Sequence, residues 1–122
     1  MSTKTMTTRE VANRLIELCR QGQVLEAQQE LYADEVTSVE PAHSPNPSAS
    51  GKEAVLAKGK HFASLIEERH GGSFEDPIVA GNYFSFVCKL DATLTGMGRI
   101  AWDEICVYEV KDGKVISEQF FY

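Results

Sequence analysis

The sequence of 122 residues lacks a long apolar run, a cluster of basic residues and any closely spaced pair of cysteines. Because nothing approaches a span of ~20 apolar residues, no membrane crossing is expected. The net charge of −6 and the scattered basic residues argue against a nucleic-acid partner, which needs a basic stripe. The opening MSTKTMTTRE lacks the apolar segment of a signal peptide, and we expect residues 1–6 to be frayed.

The three cysteines, Cys19, Cys88 and Cys106, are far apart and odd in number. This spacing predicts reduced thiols that act mostly as small core residues, as in a cytoplasmic protein. Because the chain has no HExxH motif, cysteine pair or EF-hand loop, we expect no metal and no cofactor.

The first third of the chain has the apolar periodicity of two helices. Thr7 and Glu10 form a capping box, and the stripe that follows predicts a helix ending at Gly22. A shorter helix is predicted through VLEAQQELY, with Val24 facing inward. DEVTSVEP then has the β-branched residues of a brief strand.

The proline- and serine-rich stretch AHSPNPSAS separates this strand from a third helix. Ser50 and Glu53 form a second capping box, and the helix is expected to end near RHGG. Val55, Gly59, Phe62 and Ile66 mark one side of it. A glycine weakens a helix interior by about 1 kcal/mol, so Gly59 predicts close packing against a neighbour.

From about residue 73 the apolar period changes from 3.6 to 2. NYFSFVCKLDATL and RIAWDEICVYEV alternate, KDGK has the residues of a hairpin turn, and VISEQFFY forms the last strand. Three helices followed by long antiparallel strands predict an α+β fold, with the helices on one face of a curved sheet.

This order of elements, with the stretches LYADEVTSVEP, SGKEAV and VYEVKDGKVISEQFFY, resembles the NTF2-like superfamily. Within it the chain is most similar to the SnoaL-like proteins, which include polyketide cyclases and ketosteroid isomerase. The resemblance implies one domain over residues 1–122, a cone-shaped, cystatin-like barrel of three helices on a strongly curved, mainly antiparallel sheet. It also implies a pocket for a small apolar organic ligand and a homodimer formed through the sheet.

Glu40 is the first candidate for chemistry, because it ends the predicted strand directly before Pro41. The resemblance implies that Glu40 occupies the position of the proton-shuttling aspartate of ketosteroid isomerase. Partial desolvation in a pocket makes such a carboxylate a usable base. The alternative is a solvated carboxylate at the rim, or one that pairs with Lys52 across the loop.

The oxyanion donors of that enzyme are missing from this chain. The position of its tyrosine falls on Leu15 or Ile16, and the position of its aspartic acid falls on Cys106, a weak donor. Steroid isomerase activity is therefore not expected.

Strand parity predicts that Glu104 and Glu118 point into the same cavity as Glu40. Like charges at close range raise the pKa of at least one member of such a group. A neutral glutamic acid can donate a hydrogen bond to an oxyanion, or the group could bind a cationic substrate. The alternative is that Glu104 or Glu118 pairs with Arg99 or with a lysine at the rim.

His43 lies in the predicted lid, close after Glu40, and is the candidate for a second acid or base. A metal site of His43, Glu40 and Glu104 is an alternative. His61 and His70, both placed on the third helix, lack the spacing of a metal pair.

The predicted lining of the pocket is mainly apolar and aromatic. Its members are Leu15, Phe62, Phe84, Phe86, Trp102, Cys106, Tyr108, Phe120 and Tyr122. Alternatively the aromatic side chains fill the core.

Two functions stay open: an isomerase, cyclase or dehydratase with Glu40 as the proton relay, and a non-catalytic ligand-binding or dimerisation module.

Overall fold

The fold is seen in a computed structural model, which describes residues 5–122. Three helices lie against a curved sheet, which confirms the predicted α+β class. In chain order the elements are α1 (Thr8–Arg20), α2 (Val24–Leu31), β1 (Tyr32–Val39), β2 (Ala49–Ser50), α3 (Lys52–Leu65), β3 (Ile66–Phe74), β4 (Ile78–Ala80), β5 (Tyr83–Leu94), β6 (Gly98–Lys111) and β7 (Lys114–Phe121).

The sheet has the strand order β2-β1-β7-β6-β5-β3, with β4 paired to β5. β5, β6 and β7 form the predicted antiparallel meander. β1 inserts beside β7 in parallel, so that the early strand and the last strand are neighbours. In the described part of the chain β2 forms one edge, and β3 and β4, both paired to β5, form the other, so the sheet is curved but open rather than a closed barrel.

The cap of α1, the glycine that follows α1 and the hairpin turn between β6 and β7 are formed as the sequence predicts. Thr7 and Glu10 form the reciprocal capping box of α1. Gly22, which follows the helix, has a positive φ of 78°, a conformation that glycine adopts without strain. Asp112 and Gly113 also have positive φ, of 51° and 74°, as a tight hairpin turn between β6 and β7 requires.

The capping box predicted for the third helix is wrong. Ser50 belongs to β2, where it pairs with Thr37 of β1, and α3 begins after Gly51 without a side-chain cap. Gly51 has a φ of 90°, which turns the chain from strand into helix and places Ser50 outside the capping position.

The predicted end of the third helix is also wrong. α3 ends at Leu65, and the segment through RHGG is β3, which pairs antiparallel with β5. Strand character thus begins at Ile66, earlier than predicted, and His70 lies on a strand while His61 stays on the helix. The long β5 offers backbone partners to this segment, and their pairing outweighs helical continuation.

Three further predictions concern Val24, Gly59 and the N-terminal segment. Val24 is 40% exposed rather than inward-facing, because it stands in the first turn of α2. Gly59 packs closely, as predicted: a Cβ there would lie 2.9 Å from Gln28 Oε1. Of the segment expected to fray, residues 1–4 lie outside the described residues, and Met6 packs against the core.

The core lies between α1, α2 and the face of the sheet that the helices cover, here called the inner face. Its largest fully buried side chains include Leu15, Leu31 and Phe84. No helix within residues 5–122 has the length and apolar character that crossing a bilayer would need.

Candidate functional site

Glu40 directly follows β1, and its side chain is only 6% exposed. It has the same strand parity as Val36 and Ser38, which are fully buried on the inner face. Pro41 follows and cannot donate a backbone hydrogen bond, so the strand ends here. The sequence therefore holds a carboxylate at the margin of the core.

Two side chains bind the Glu40 carboxylate from opposite parts of the chain. Lys58 Nζ lies 2.6 Å from Oε2, and the Tyr122 hydroxyl donates to Oε1 at 2.6 Å. The Glu40 backbone N–H donates to Ser48 Oγ at 3.0 Å, which ties the loop to the strand end. The predicted partner Lys52 instead donates to the Gln29 carbonyl at 2.7 Å, so that alternative is wrong.

Lys58 reaches this point from the middle of α3, and its side chain is 16% exposed. Its ammonium donates to Ser38 Oγ at 2.8 Å and lies 5.5 Å from the centre of the Phe120 ring. Lysine is seldom buried to this extent unless it is paired. The pair with Glu40 supplies that partner.

Glu118 lies behind the pair and is 3% exposed. The parallel pairing of β1 and β7 sets Ser38 opposite Glu118, and the Ser38 hydroxyl and the Tyr32 hydroxyl both bond to its carboxyl group. Burial raises the pKa of Glu118, and the hydrogen bonds and Lys58 only partly oppose that effect.

Glu104 stands on β6 opposite Cys88 and accepts a weak hydrogen bond from Cys106 Sγ at 3.5 Å. Burial raises the pKa of Glu104 from 4.5 to about 7, and the negative charges of Glu40 and Glu118 act in the same direction. The bond from Cys106 and the charge of Lys58 lower this pKa. Burial thus favours the protonated form of Glu104.

The structure brings together the three predicted carboxyl groups around one ammonium. We call Glu40, Lys58, Glu104 and Glu118 the carboxylate cluster. The alternative pairing of Glu104 or Glu118 with Arg99 is wrong, because Arg99 binds Asp91 at 2.9 Å. A lysine does pair within the cluster, but it is Lys58 of the helix rather than a residue of the rim.

His43 lies in the exposed loop between β1 and β2 and does not join the cluster directly. Its ring packs edge-on against Tyr122, with 6.0 Å between the ring centres, and Ser44 Oγ lies 2.5 Å from the Tyr122 hydroxyl. The loop and Tyr122 together cover Glu40. An acid–base role of His43 stays a prediction.

The predicted lining residues fall into two groups that differ in burial. Phe84 and Phe86 stack on Tyr108, with ring centres 4.7 and 5.6 Å apart, and are fully buried with Leu15 and Cys106. This favours the alternative that they fill the core.

The second group is half-buried and lies nearer to α3. Phe62 of α3 meets Trp102 of β6 edge-on, with ring centres 5.8 Å apart, and Phe120 lies beneath Lys58. Trp102 precedes Glu104 on the same face of β6. We call Phe62, Trp102 and Phe120 the aromatic rim; Tyr122, 38% exposed, covers Glu40 beside it.

Two surface clefts lie elsewhere. One of about 360 Å³ is lined by α1 and by Asp76 and Pro77, and one of about 460 Å³ lies beside the turn at Gly113. Neither contains a residue of the carboxylate cluster. We place the candidate site at the cluster because buried ionisable side chains converge there.

Metal-binding geometry is not found in the described residues: no three histidine, cysteine or acidic side chains between residues 5 and 122 are arranged to hold an ion. The alternative metal site of His43, Glu40 and Glu104 therefore has no support in the geometry. Lys58 occupies the position beside Glu40 where a cation would bind.

Sequence reasoning missed Lys58, Ser38 and Tyr32. One signal was available: Lys58 comes three residues after Val55 and four before Phe62, so it lies on the apolar side of α3. A lysine on an apolar helix face needs a buried acid as its partner.

Comparisons with known proteins agree with this architecture. The model of the SnoaL-like domain family matches residues 6–122. A structure from Mesorhizobium loti, for which a SnoaL-like polyketide cyclase identity has been suggested, is 37% identical with a TM-score of 0.89 over 96% of this chain and 100% of that chain. A comparison with curated protein sequences found no significant match.

Two more distant structures support the fold alone. An NTF2-like protein from Burkholderia thailandensis is 13% identical, with a TM-score of 0.81 over 98% of this chain and 91% of that chain. A Catenulispora acidiphila protein with a ketosteroid isomerase-like fold, in complex with trimethylamine, is 19% identical, with a TM-score of 0.73 over 95% and 87%. The family match over residues 6–122 confirms the predicted resemblance, and the chain belongs to the SnoaL-like domain family.

Proposed function

We propose that this SnoaL-like protein binds a neutral, mainly apolar organic molecule and moves a proton on it, in an isomerisation, an aldol-type cyclisation or a dehydration. The single observation that carries the proposal is the Glu40 side chain, which is 6% exposed and is held in place by contacts with Lys58 and Tyr122. A desolvated carboxylate held in one orientation is suited to act as a general base. The suggested cyclase identity of the Mesorhizobium loti structure is in keeping with this chemistry.

Glu104 is the acid in this proposal. With a pKa of about 7 it carries a proton in part of the molecules at neutral pH and can return it to the substrate. Glu118 has no such freedom, because Tyr32 and Ser38 bind its carboxyl group within the core. Its role is to hold Ser38 and, through Ser38, the Lys58 ammonium.

The aromatic rim would contact the apolar part of the ligand, and the loop between β1 and β2, with Tyr122, would close over it. The hydroxyl contacts of Tyr122 with Glu40 and Ser44 link this cover to the base, and the Glu40 backbone N–H is bonded to Ser48 of the same loop. Lys58 already neutralises part of the negative charge, so a cationic ligand is disfavoured. The chemistry needs only an acid and a base.

Proton exchange in heavy water tests the proposal without knowledge of the natural substrate. Cyclohexanone and acetophenone carry acidic C–H bonds next to a carbonyl group, and the protein is expected to speed the exchange of these hydrogens for deuterium. Proton NMR follows the loss of the signals against a sample with no protein and one with heat-unfolded protein. Exchange no faster than in these two samples contradicts the proposal for ketone substrates.

The competing function is a non-catalytic binding module. The observation that favours it is the packed core, in which Phe84 and Tyr108 stack where a pocket could otherwise extend. Native mass spectrometry of the protein purified from cells separates the two functions when read with the exchange assay. A bound ligand without exchange supports the module, and exchange supports the enzyme.

We also propose a homodimer formed through the outer face of the sheet, the face opposite the helices. Val87, Ile105 and Phe121 lie side by side there on β5, β6 and β7. Ile105 is 49% exposed and Phe121 48% exposed, and an apolar row of this kind commonly marks an interface.

The free cysteines Cys19, Cys88 and Cys106 support the further proposal of a cytoplasmic location.

Ile105→Lys is expected to convert the dimer to a monomer, because it places a charge at the centre of this apolar row. Sedimentation velocity measures the change. Met97→Lys is the matched control, since Met97 is 51% exposed but lies at the turn between β5 and β6. A wild-type protein that sediments as a monomer, or a variant that stays dimeric, contradicts the proposed interface.

A further inference from the structure

Lys58 has a position that the proposed acid–base pair does not explain. Its ammonium is held between Glu40 Oε2 at 2.6 Å and Ser38 Oγ at 2.8 Å, within a site that is largely closed to water. An ammonium has three N–H donors, and these two contacts use two of them. The charge also lies over the Phe120 ring, 5.5 Å from its centre.

Carboxyl groups surround the Lys58 side chain. Glu40 contacts it directly, and the positive charge of Lys58 acts on the carboxyl groups of both Glu104 and Glu118. A nucleophilic lysine must lose its proton, which neighbouring cations or an apolar site favour and neighbouring carboxylates oppose. Lys58 is therefore suited to bind negative charge rather than to attack a carbonyl carbon.

The site also needs such a group. Removing a proton next to a carbonyl leaves negative charge on the carbonyl oxygen, and enzymes stabilise it with fixed donors. Leu15 and Ile16 offer no donor, and Cys106 offers a weak one that Glu104 already accepts. Lys58 is a cation that lies directly beside the base.

We propose that Lys58 is a catalytic residue that binds the carbonyl oxygen of the substrate. This inference rests on the proposed function. In the reaction the C–H bond breaks, its proton goes to the Glu40 carboxylate, and its electron pair forms the C=C bond of an enolate. The negative charge moves to the oxygen beside Lys58 Nζ.

The charge balance favours the transition state over the bound substrate. Before the step Lys58 is paired with the Glu40 carboxylate, and after it Glu40 is neutral and the enolate oxygen carries the charge. The ammonium is therefore next to a negative charge both before and after the step. Before the step this charge belongs to Glu40, and as the step proceeds it develops on the substrate oxygen. An interaction that strengthens along the reaction in this way accelerates the step. The Glu104 proton then completes an isomerisation, or the enolate carbon attacks a second carbonyl group in a cyclisation.

Para-nitrophenol tests the oxyanion site, because its phenolate resembles an enolate in charge and shape and has a separate visible absorption. The wild-type protein is expected to bind the phenolate and to lower the apparent pKa of the probe by roughly one unit or more, as a cation in contact does. Lys58→Met should abolish this shift and weaken phenolate binding at least about tenfold. Lys58→Arg, which keeps the charge, should retain part of it.

Lys60→Met is the matched control, since Lys60 lies on the same helix but is exposed. A wild-type protein that leaves the probe's pKa unchanged overturns the proposal even where a variant does not fold. A shift that persists in Lys58→Met overturns it as well. A Lys58-dependent shift without deuterium exchange supports the oxyanion site and contradicts the proposed reaction; exchange that is unaffected in Lys58→Met supports the reaction and overturns the role of Lys58.

Discussion

Replacing Glu40 by glutamine is expected to lower the protein-dependent rate of deuterium exchange roughly 10²- to 10⁴-fold, the range that general bases contribute. The amide keeps the size of the side chain; its carbonyl oxygen can still accept from Lys58, and its NH₂ group can donate to the Tyr122 hydroxyl oxygen. It cannot accept a proton from carbon. The rate therefore falls through loss of the base rather than through loss of the site.

Glu35→Gln is the matched control for this variant, because Glu35 lies on the same strand but is exposed. Its exchange rate should equal that of the wild type. Circular dichroism and thermal unfolding of Glu40→Gln show whether α3 and the loop stay folded without the charged pair. A folded Glu40→Gln variant with the wild-type rate would remove Glu40 from the mechanism.

The stability of the folded protein is expected to fall between pH 4.5 and pH 7, because Glu104 binds its proton more tightly when folded. Its pKa of about 7 exceeds its ordinary value of 4.5, so in this window the folded state holds more protons than the unfolded state. The contribution of the protonated Glu104 to the free energy of unfolding is fully present below pH 4.5 and is lost as the pH rises through 7. At about 1.4 kcal/mol per pKa unit, the difference between 4.5 and about 7 corresponds to at most about 3.5 kcal/mol.

Urea unfolding across this pH range measures the effect. Glu104→Gln should unfold at similar free energy to the wild type at pH 4.5 and should be the more stable protein above pH 7, because its amide does not ionise. Part of the decrease in the free energy of unfolding with rising pH remains in Glu104→Gln, since burial raises the pKa of Glu118 too. Asp91 and Glu30, whose pKa values are lowered by Arg99 and Arg14, lose their stabilising charge only at lower pH.

Glu35→Gln, exposed on β1, should leave the wild-type profile unchanged and again serves as the control. A wild-type stability that does not change between pH 4.5 and pH 7 would mean that Glu104 is solvated. Glu104 could then not supply the proton that the proposed reaction needs at neutral pH.

Much of the fold follows from short-range patterns. The capping box of Thr7 and Glu10 and the glycine after α1 are local features, and they are formed as predicted. The alternation along β6 and β7 places Glu104 and Glu118 on the inner face, because a strand exposes successive residues on opposite sides.

The predictions are wrong where a segment pairs with a strand that is distant in the sequence. Ser50 and Glu53 have the residues of a capping box, but β1 binds Ser50 as part of a strand. The segment through His70 follows a helix without interruption, and β5 makes it a strand. Such pairings satisfy the backbone with residues far away in sequence, which no local pattern contains.

The sequence by itself determined the first two helices, the strand parity, the turn at Asp112 and Gly113 and the position of Glu40 at a strand end, since each depends on neighbouring residues. Only the tertiary structure decided what Glu40 does. Packing of α3 brings Lys58 against it, and the parallel pairing of β1 with β7 places Ser38 beside Glu118 and carries Tyr122 to the other carboxylate oxygen. A buried charge takes whichever partner the fold places within reach, and that choice is made by long-range packing rather than by sequence spacing.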